Sequence, residues 1–229
     1  DSSAASDVYK RQQMRAVLWC NGSIPTESVV EWVLKSGAPV FGVDGGADKA
    51  HGLGVEVSEV LGDMDSIDES AWKGRTLLLN DQSVSDLVKS IEELMHRGFD
   101  EIEIVGADGG DPSHILGNWA AMNDASSGAR IRIHHEEQVS IRLHPDDECF
   151  SARFEEGELF SVFAIEAGKV WISGAKWELH GDDLGLSSRG LHNEGTGDFV
   201  NIRGEGVLIL ISKRLSLIHI SEPTRQDRI

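Results

Sequence analysis

Four short acidic segments, each following an apolar run, hold the residue types best suited to metal and phosphate chemistry. The first is Asp44-Gly45-Gly46, where paired glycines let the backbone come close to a ligand. A helix starting near Ala47 would point N–H groups at an anion, although a Gly-Gly pair after a strand also reads as an ordinary turn. The second is Gly62-Asp63-Met64-Asp65-Ser66. Alternate residues of an extended segment share a face, so both carboxylates can enter one pocket. Two such groups repel unless a cation neutralises them, and Mg²⁺, a hard ion held by carboxylates and substrate phosphates, fits. An Asp-rich turn capping the next segment reads equally well. The third is Asp81-Gln82-Ser83-Val84-Ser85-Asp86, which taken alone is a helix start. The fourth, Gly106-Ala107-Asp108-Gly109-Gly110, runs through Asp111, Pro112, Ser113 and His114 to Asn118.

These segments need a scaffold that gathers strand ends. Strands are expected at Ala16–Cys20, Val40–Val43, Val60–Leu61, Thr76–Leu79, Ile102–Val105 and Ile131–His134. Helices are expected at Glu27–Lys35 with Thr26 as cap, at Ser83–Arg97 with Leu87, Ile91, Leu94 and Met95 on one face, and at His114–Ala125. Such alternation predicts an α/β fold, a Rossmann-like parallel sheet covered on both faces, with ligands at the carboxyl ends of its strands. Beyond Glu136 the pattern changes to short β-rich runs at Val139–Leu143, Leu159–Ala164, Lys169–Ser173, Lys176–Leu179, Asp198–Arg203 and Val207–Ile211. They predict a small antiparallel β-sandwich, so the division is a catalytic α/β domain over 14–136 and a β-sandwich over 137–214.

The two ends read as foreign. Residues 7–12, back-translated as GAT GTG TAT AAG AGA CAG, are the reverse complement of CTG TCT CTT ATA CAC ATC, which encodes residues 215–220. Residues 1–13 and 215–229 are therefore expected to be adapter-derived and are set aside from the fold. A formal charge of −18 disfavours nucleic-acid binding, which needs basic patches. With two cysteines, Cys20 and Cys149, a disulfide framework is unsupported. No apolar run reaches the roughly 18–20 residues that cross a bilayer, so a cytosolic protein with no membrane partner is expected. His134 and His135 are expected at the surface, Glu155–Glu158 in a solvated turn, and Trp177 in the core.

Taken in order, Asp-Gly-Gly-Ala (44–47), Gly-Asp-x-Asp-Ser (62–66), Asp-Gln-x-x-Ser-Asp (81–86) and Gly-Ala-x-Gly-Gly-x-x-x-His-x-x-x-Asn (106–118) resemble the thiamine pyrophosphokinase family. Asn21-Gly22 and His192-Asn193-Glu194 fit the same layout. The resemblance implies transfer of diphosphate from Mg-ATP to the hydroxyl of thiamine, with release of AMP. It also implies a homodimer with active sites at the subunit interface. By position, Asp44, Asp63, Asp65 and Asp86 would hold Mg²⁺, with Asp63 or Asp86 as proton acceptor. Asp44, Gly45, Gly46, Gly109, Gly110, His114 and Asn118 would serve ATP and its phosphates, and Gln82, His192 and Asn193 the acceptor. The chain departs from the family pattern at Asp111, where arginine is usual, at Ser113, at His192 and at Asp48. Those departures keep two alternatives open: a diphosphokinase acting on another alcohol such as a hydroxymethylpterin, and a silent Mg-nucleotide-binding homologue.

Overall fold

A computed structural model describes residues 14–67 and 70–214, so both expected adapter-derived tails lie outside the described residues. Six parallel strands form the first half: β1 (Arg15–Trp19), β2 (Val40–Val43), β3 (Glu59–Gly62), β4 (Thr76–Leu78), β5 (Glu101–Val105) and β6 (Arg130–His134). Their spatial order is β6-β5-β1-β2-β3-β4. The chain thus winds outward from β1 to β4, then returns to the other side of β1. A crevice opens at such a reversal, between the loops that leave β1 and β5.

The helices are α1 (Glu27–Leu34), α2 (Gly46–Gly52), α3 (Asp86–His96) and α4 (Pro112–Asp124). Alternation along β1 shows why both sheet faces need cover. Ala16 and Leu18 join Ile102, Ile104, Leu87, Ile91 and Met122 in one core under α3 and α4. Val17 and Trp19 join Val29, Val33, Ala47 and Ala50 in a second core under α1 and α2.

The expected boundary near Glu136 falls in the turn between β6 and β7 (Gln138–Leu143), which pair antiparallel through Arg132↔Ile141 and His134↔Val139. The sheet continues through that turn into β14 (Leu208–Lys213), β9 (Leu159–Ala164) and β12 (Asn193–Glu194), reaching ten strands. A second, four-stranded antiparallel sheet contains β8 (Phe150–Arg153), β10 (Gly168–Ser173), β11 (Leu179–Leu184) and β13 (Phe199–Gly204). A third core lies between them, with Val139, Phe160, Val162 and Leu210 from the large sheet and Ala152, Ile172 and Val200 from the small one. Leu208 and Leu210 of β14 face this core while Ile209 faces the core under α3 and α4, so one strand serves both halves.

Several local expectations need correction. The strand placed at Lys176–Leu179 begins at Leu179, and Phe150–Arg153 is a strand that short apolar runs did not reveal. Helix α3 starts at Asp86 rather than Ser83, because Ser85 is its N-cap and its hydroxyl accepts from the Val88 N–H. Thr26 precedes α1 but makes no side-chain cap; its hydroxyl pairs with Ser28 instead. His134 is buried, not superficial: its Nε2 lies 2.7 Å from Glu103, which also binds Arg132. Burial opposes ionisation of Glu103, but His134, Arg132 and Arg15 outweigh it and hold the carboxyl at about 2. Trp177 is not core; it is 52 % exposed.

Phe154 is fully buried at the end of β8 and its ring lies 4.7 Å from that of Phe160. Phe154→Ala is expected to lower stability by about 3–5 kcal/mol in urea unfolding, the usual cost of emptying a buried aromatic site. A loss below about 1 kcal/mol would show that the sheets do not depend on this ring.

Candidate active site

The candidate site forms where β2, β3 and α3 present their ends together. Asp44 leaves β2 with φ 45°, a left-handed conformation that aspartate tolerates better than bulky residues. Its N–H still bonds the Leu61 carbonyl at 3.1 Å, so the turn begins while the ladder to β3 is intact. Gly62, with φ 145°, faces it: a Cβ there would stand 1.9 Å from Asp44 Oδ1. The missing side chain at Gly62 is therefore the space that the Asp44 carboxylate occupies. Gly45 and Gly46 are required by equally close contacts, with Asn21 Nδ2 at 2.6 Å and the Trp19 carbonyl at 2.0 Å from their respective Cβ positions. Lys49 fastens the same loop by donating to the carbonyls of Asn21 and Gly22 at 2.7 and 2.6 Å.

Carboxylate oxygens of Asp44, Asp63 and Asp86 all lie within 4.8 Å of one another. The reason for placing Asp63 and Asp65 on one face fails, because Met64 has φ 67° and the segment is not extended. Instead Asp63 Oδ1 accepts the Asp65 N–H at 3.2 Å, and Asp44 Oδ1 accepts the Met64 N–H at 3.3 Å. Asp65 stays outside the close group but near enough to push up the Asp44 pKa. That pKa rises from 3.8 to about 6 through burial first, then repulsion from Asp86, with Asp63 and Asp65 adding to it against the Met64 hydrogen bond. Three hard oxygen donors in mutual repulsion fit a divalent cation such as Mg²⁺. Lys89 is the resident counter-charge: its buried ammonium lies 2.6 Å from Asp86 Oδ1 and donates to the Leu79 carbonyl at 3.0 Å. The sequence reading missed Lys89, although its position three residues after Asp86 on a helix was the available signal.

The fourth segment meets the crevice from β5. The N–H groups of Gly22 and Ser23 bond the carbonyls of Gly106 and Asp108 at 2.7 and 2.5 Å, joining the loops after β1 and β5. Asn118 donates to the Ala107 carbonyl at 2.8 Å, so its amide braces this loop. Gly109 has φ 73°, and a Cβ on it would strike Ser23. Gly110 and His114 are exposed at the start of α4. Asp111 is the N-cap of that helix and accepts from the Ser113 N–H at 2.8 Å. The paired departures Asp111 and Ser113 thus make one capping turn in place of an arginine. Asp48 accepts from the Trp72 indole at 2.7 Å.

Of the residues expected to serve the acceptor, His192 and Asn193 lie in a pocket lined by none of the three clustered aspartates. Gln82 is exposed beside a turn in which Asp81 accepts from Ser83. His192 and Asn193 line a pocket of about 390 Å³ with Trp177, Leu179, Arg189 and Leu191. Asn193 has its amide engaged: Oδ1 accepts from the N–H groups of Trp177 and Glu194, and Nδ2 donates to the Trp177 carbonyl at 2.8 Å. These bonds fix the Trp177 backbone against Asn193.

Comparison with known proteins agrees with the geometry. Residues 31–133 match the family model described as thiamin pyrophosphokinase, catalytic domain. A thiamine pyrophosphokinase of Bacillus subtilis (strain 168) is 26% identical over 187 residues, covering 75% of this chain and 85% of that protein. Among solved structures, thiamine pyrophosphokinase from Bacillus subtilis superposes with a TM-score of 0.69 at 20% identity, covering 87% of this chain and 98% of that one. Thiamin pyrophosphokinase from Candida albicans superposes with a TM-score of 0.68 at 10% identity, covering 87% and 89%.

The raised Asp44 pKa has a stability consequence. Asp44 holds its proton more tightly folded, about 6, than unfolded, 3.8, so its stabilising contribution is full below about pH 4 and lost as pH rises through 6. In EDTA at pH 8, Asp44→Asn is therefore expected to raise the melting temperature by about 2–4 °C, with no gain at pH 4. Mg²⁺ is expected to raise the melting temperature of the unsubstituted protein, and Asp44→Asn should remove that rise. Equal melting temperatures at pH 8 would show that Asp44 carries no excess repulsion.

Proposed function

We propose that this chain, whose residues 31–133 match the thiamin pyrophosphokinase catalytic-domain model, acts as a member of that family and transfers diphosphate from Mg-ATP to the hydroxyl of thiamine. The reading is carried by one observation, the convergence of Asp44, Asp63 and Asp86 within 4.8 Å at strand ends that are far apart in sequence. When bound, Mg²⁺ neutralises the phosphate oxygens and offsets the repulsion among these carboxylates. The hydroxyl oxygen attacks the β-phosphorus of ATP, the bond from that phosphorus to the α–β bridging oxygen breaks, and AMP leaves. Little covalent work falls to the protein in such a reaction, which needs alignment and charge neutralisation.

The side chains divide that work. Asp44, buried and repelled, supplies the position most in need of a cation, with Asp63 and Asp86 beside it. Asp65 extends the negative field from the rim. Asp86 shares an oxygen with Lys89, so Asp63 is the freer carboxylate to take the hydroxyl proton. The loops of Gly45–Gly46 and Gly109–Gly110 both abut the loop after β1, at Asn21 and Ser23, and would bring their backbones to ATP, with His114 exposed in the first turn of α4. The Rossmann-like description of residues 14–136 rests on six parallel strands and the reversal at β1.

A homodimer belongs to this proposal. Supporting it, the pocket with Trp177, His192 and Asn193 contains none of the three clustered aspartates, as expected if acceptor groups come from a second copy. Trp177, half exposed with Lys176 4.6 Å from its ring centre, offers a flat apolar face to a heterocycle.

The deciding measurement is AMP release from Mg-ATP with thiamine, with a pterin alcohol, and with neither. AMP formed only with thiamine is expected. Turnover with the pterin alone, or nucleotide binding without turnover, would overturn the assignment. Asp63→Asn should cut turnover by more than about 100-fold, beyond the usual cost of disturbing an outer-shell partner, while leaving the melting profile cooperative. Wild-type turnover in that variant would remove Asp63 from the mechanism.

A further inference from the structure

The loop 106–110 holds three glycines with positive φ, Gly106 at 68°, Gly109 at 73° and Gly110 at 81°. Such a segment loses more backbone freedom on ordering than ordinary chain, so a fixed shape needs tethers. Its one acidic side chain provides one. Both oxygens of Asp108 lie near His135 Nδ1, at 2.7 and 2.9 Å, and His135 Nε2 lies 2.7 Å from Ser140 Oγ. A carboxylate only accepts, so Nδ1 carries a proton and donates to Asp108, while Nε2 shares a hydrogen bond with the Ser140 hydroxyl.

The imidazole is held from every side. Its ring stacks on Trp119 of α4 with centroids 5.9 Å apart and planes 24° off parallel. The His135 N–H bonds the Gln138 carbonyl at 3.0 Å, and its own carbonyl accepts from Arg214. Aspartate, histidine and serine in this order have the atoms of a nucleophilic triad, but Ser140 is fully buried on β7 and reaches no substrate. What the relay does is grip: it joins β7, the β6–β7 turn, helix α4 and the glycine loop at one ring. Through the Asp108 carbonyl the grip continues to Ser23, and the loop of Ser23 continues to Asn21 against Gly45, next to Asp44.

We propose that His135 is a positioning residue for the ATP site, locking the 106–110 loop through Asp108 so that its backbone meets the nucleotide phosphates. The inference rests on the diphosphokinase reading given above. Its sequence signal was hidden, since His135 had been placed at the surface, whereas the imidazole is partly buried and fully partnered.

The test compares His135→Ala, Asp108→Ala and Asp108→Asn with the unsubstituted protein, reading KM for Mg-ATP, KM for thiamine, kcat, melting temperature and the Mg-ATP dissociation constant by calorimetry. Loss of the tether should raise KM and the dissociation constant for Mg-ATP by about tenfold, with KM for thiamine moving less than about twofold. Asp108→Asn keeps an oxygen that accepts from Nδ1–H and should stay within about twofold of the parent. Asp108 is half exposed, so Asp108→Ala reports on the loop even if His135→Ala fails to fold. Unchanged Mg-ATP binding in Asp108→Ala, or equal losses in kcat and both KM values that follow the melting temperature, would overturn the inference alone. Absence of Mg-ATP binding in the parent would overturn the proposed function and the inference with it. Binding without AMP release would overturn only the function, and the dissociation constants would still decide the role of His135.

Discussion

Three carboxylates held within 4.8 Å are the constraint around which this protein is arranged. Close negative charges separate unless something forces them together, and here the force is backbone geometry. Asp44 is fixed by a left-handed turn at the end of a buried strand, and Gly62 gives up its side chain to admit that carboxylate. Asp86 arrives from the first turn of α3, placed there by the Ser85 cap. Burial first, and then this repulsion, raises the Asp44 pKa, and Lys89 answers part of the charge at Asp86. A site of this kind is poised for a cation because the fold has already opposed the repulsion before any ligand arrives.

The scaffold supports that strain with two helix-covered cores and a third core between sheets. Because the ten-stranded sheet runs through the turn at Glu136, the β-rich half is hydrogen-bonded to the half that carries the carboxylates. Ile209, Leu208 and Leu210 on one strand divide between the two cores, so packing on one side of the sheet is felt on the other. The pocket with Trp177, His192 and Asn193 therefore rides on the same sheet as the carboxylate cluster, although none of the clustered aspartates lines it.

Departures from the family pattern have local physical explanations. Asp111 caps α4 with Ser113, a turn that arginine and aspartate at those positions would not make. Asp108, three residues earlier in the same loop, is matched by His135 in the turn that follows the neighbouring strand β6. Misjudged residues share a cause as well. His134 and His135 read as surface residues from their place at a strand end, whereas their environments are set by Glu103 and Asp108, which are remote in sequence.

Strand ends, glycine turns and the order of the acidic motifs could be read directly from the chain, because apolar periodicity and missing side chains are local properties. That reading named Asp44, Asp63 and Asp86 and located the change to β-rich structure near Glu136. Tertiary structure alone decided that Met64 breaks the extended geometry and leaves Asp65 at the rim. It alone decided that Asp44, Asp63 and Asp86 meet, and that one sheet joins both halves. The reason is range: local patterns fix which way a strand faces, but which charges meet depends on chain segments brought together only when the cores close.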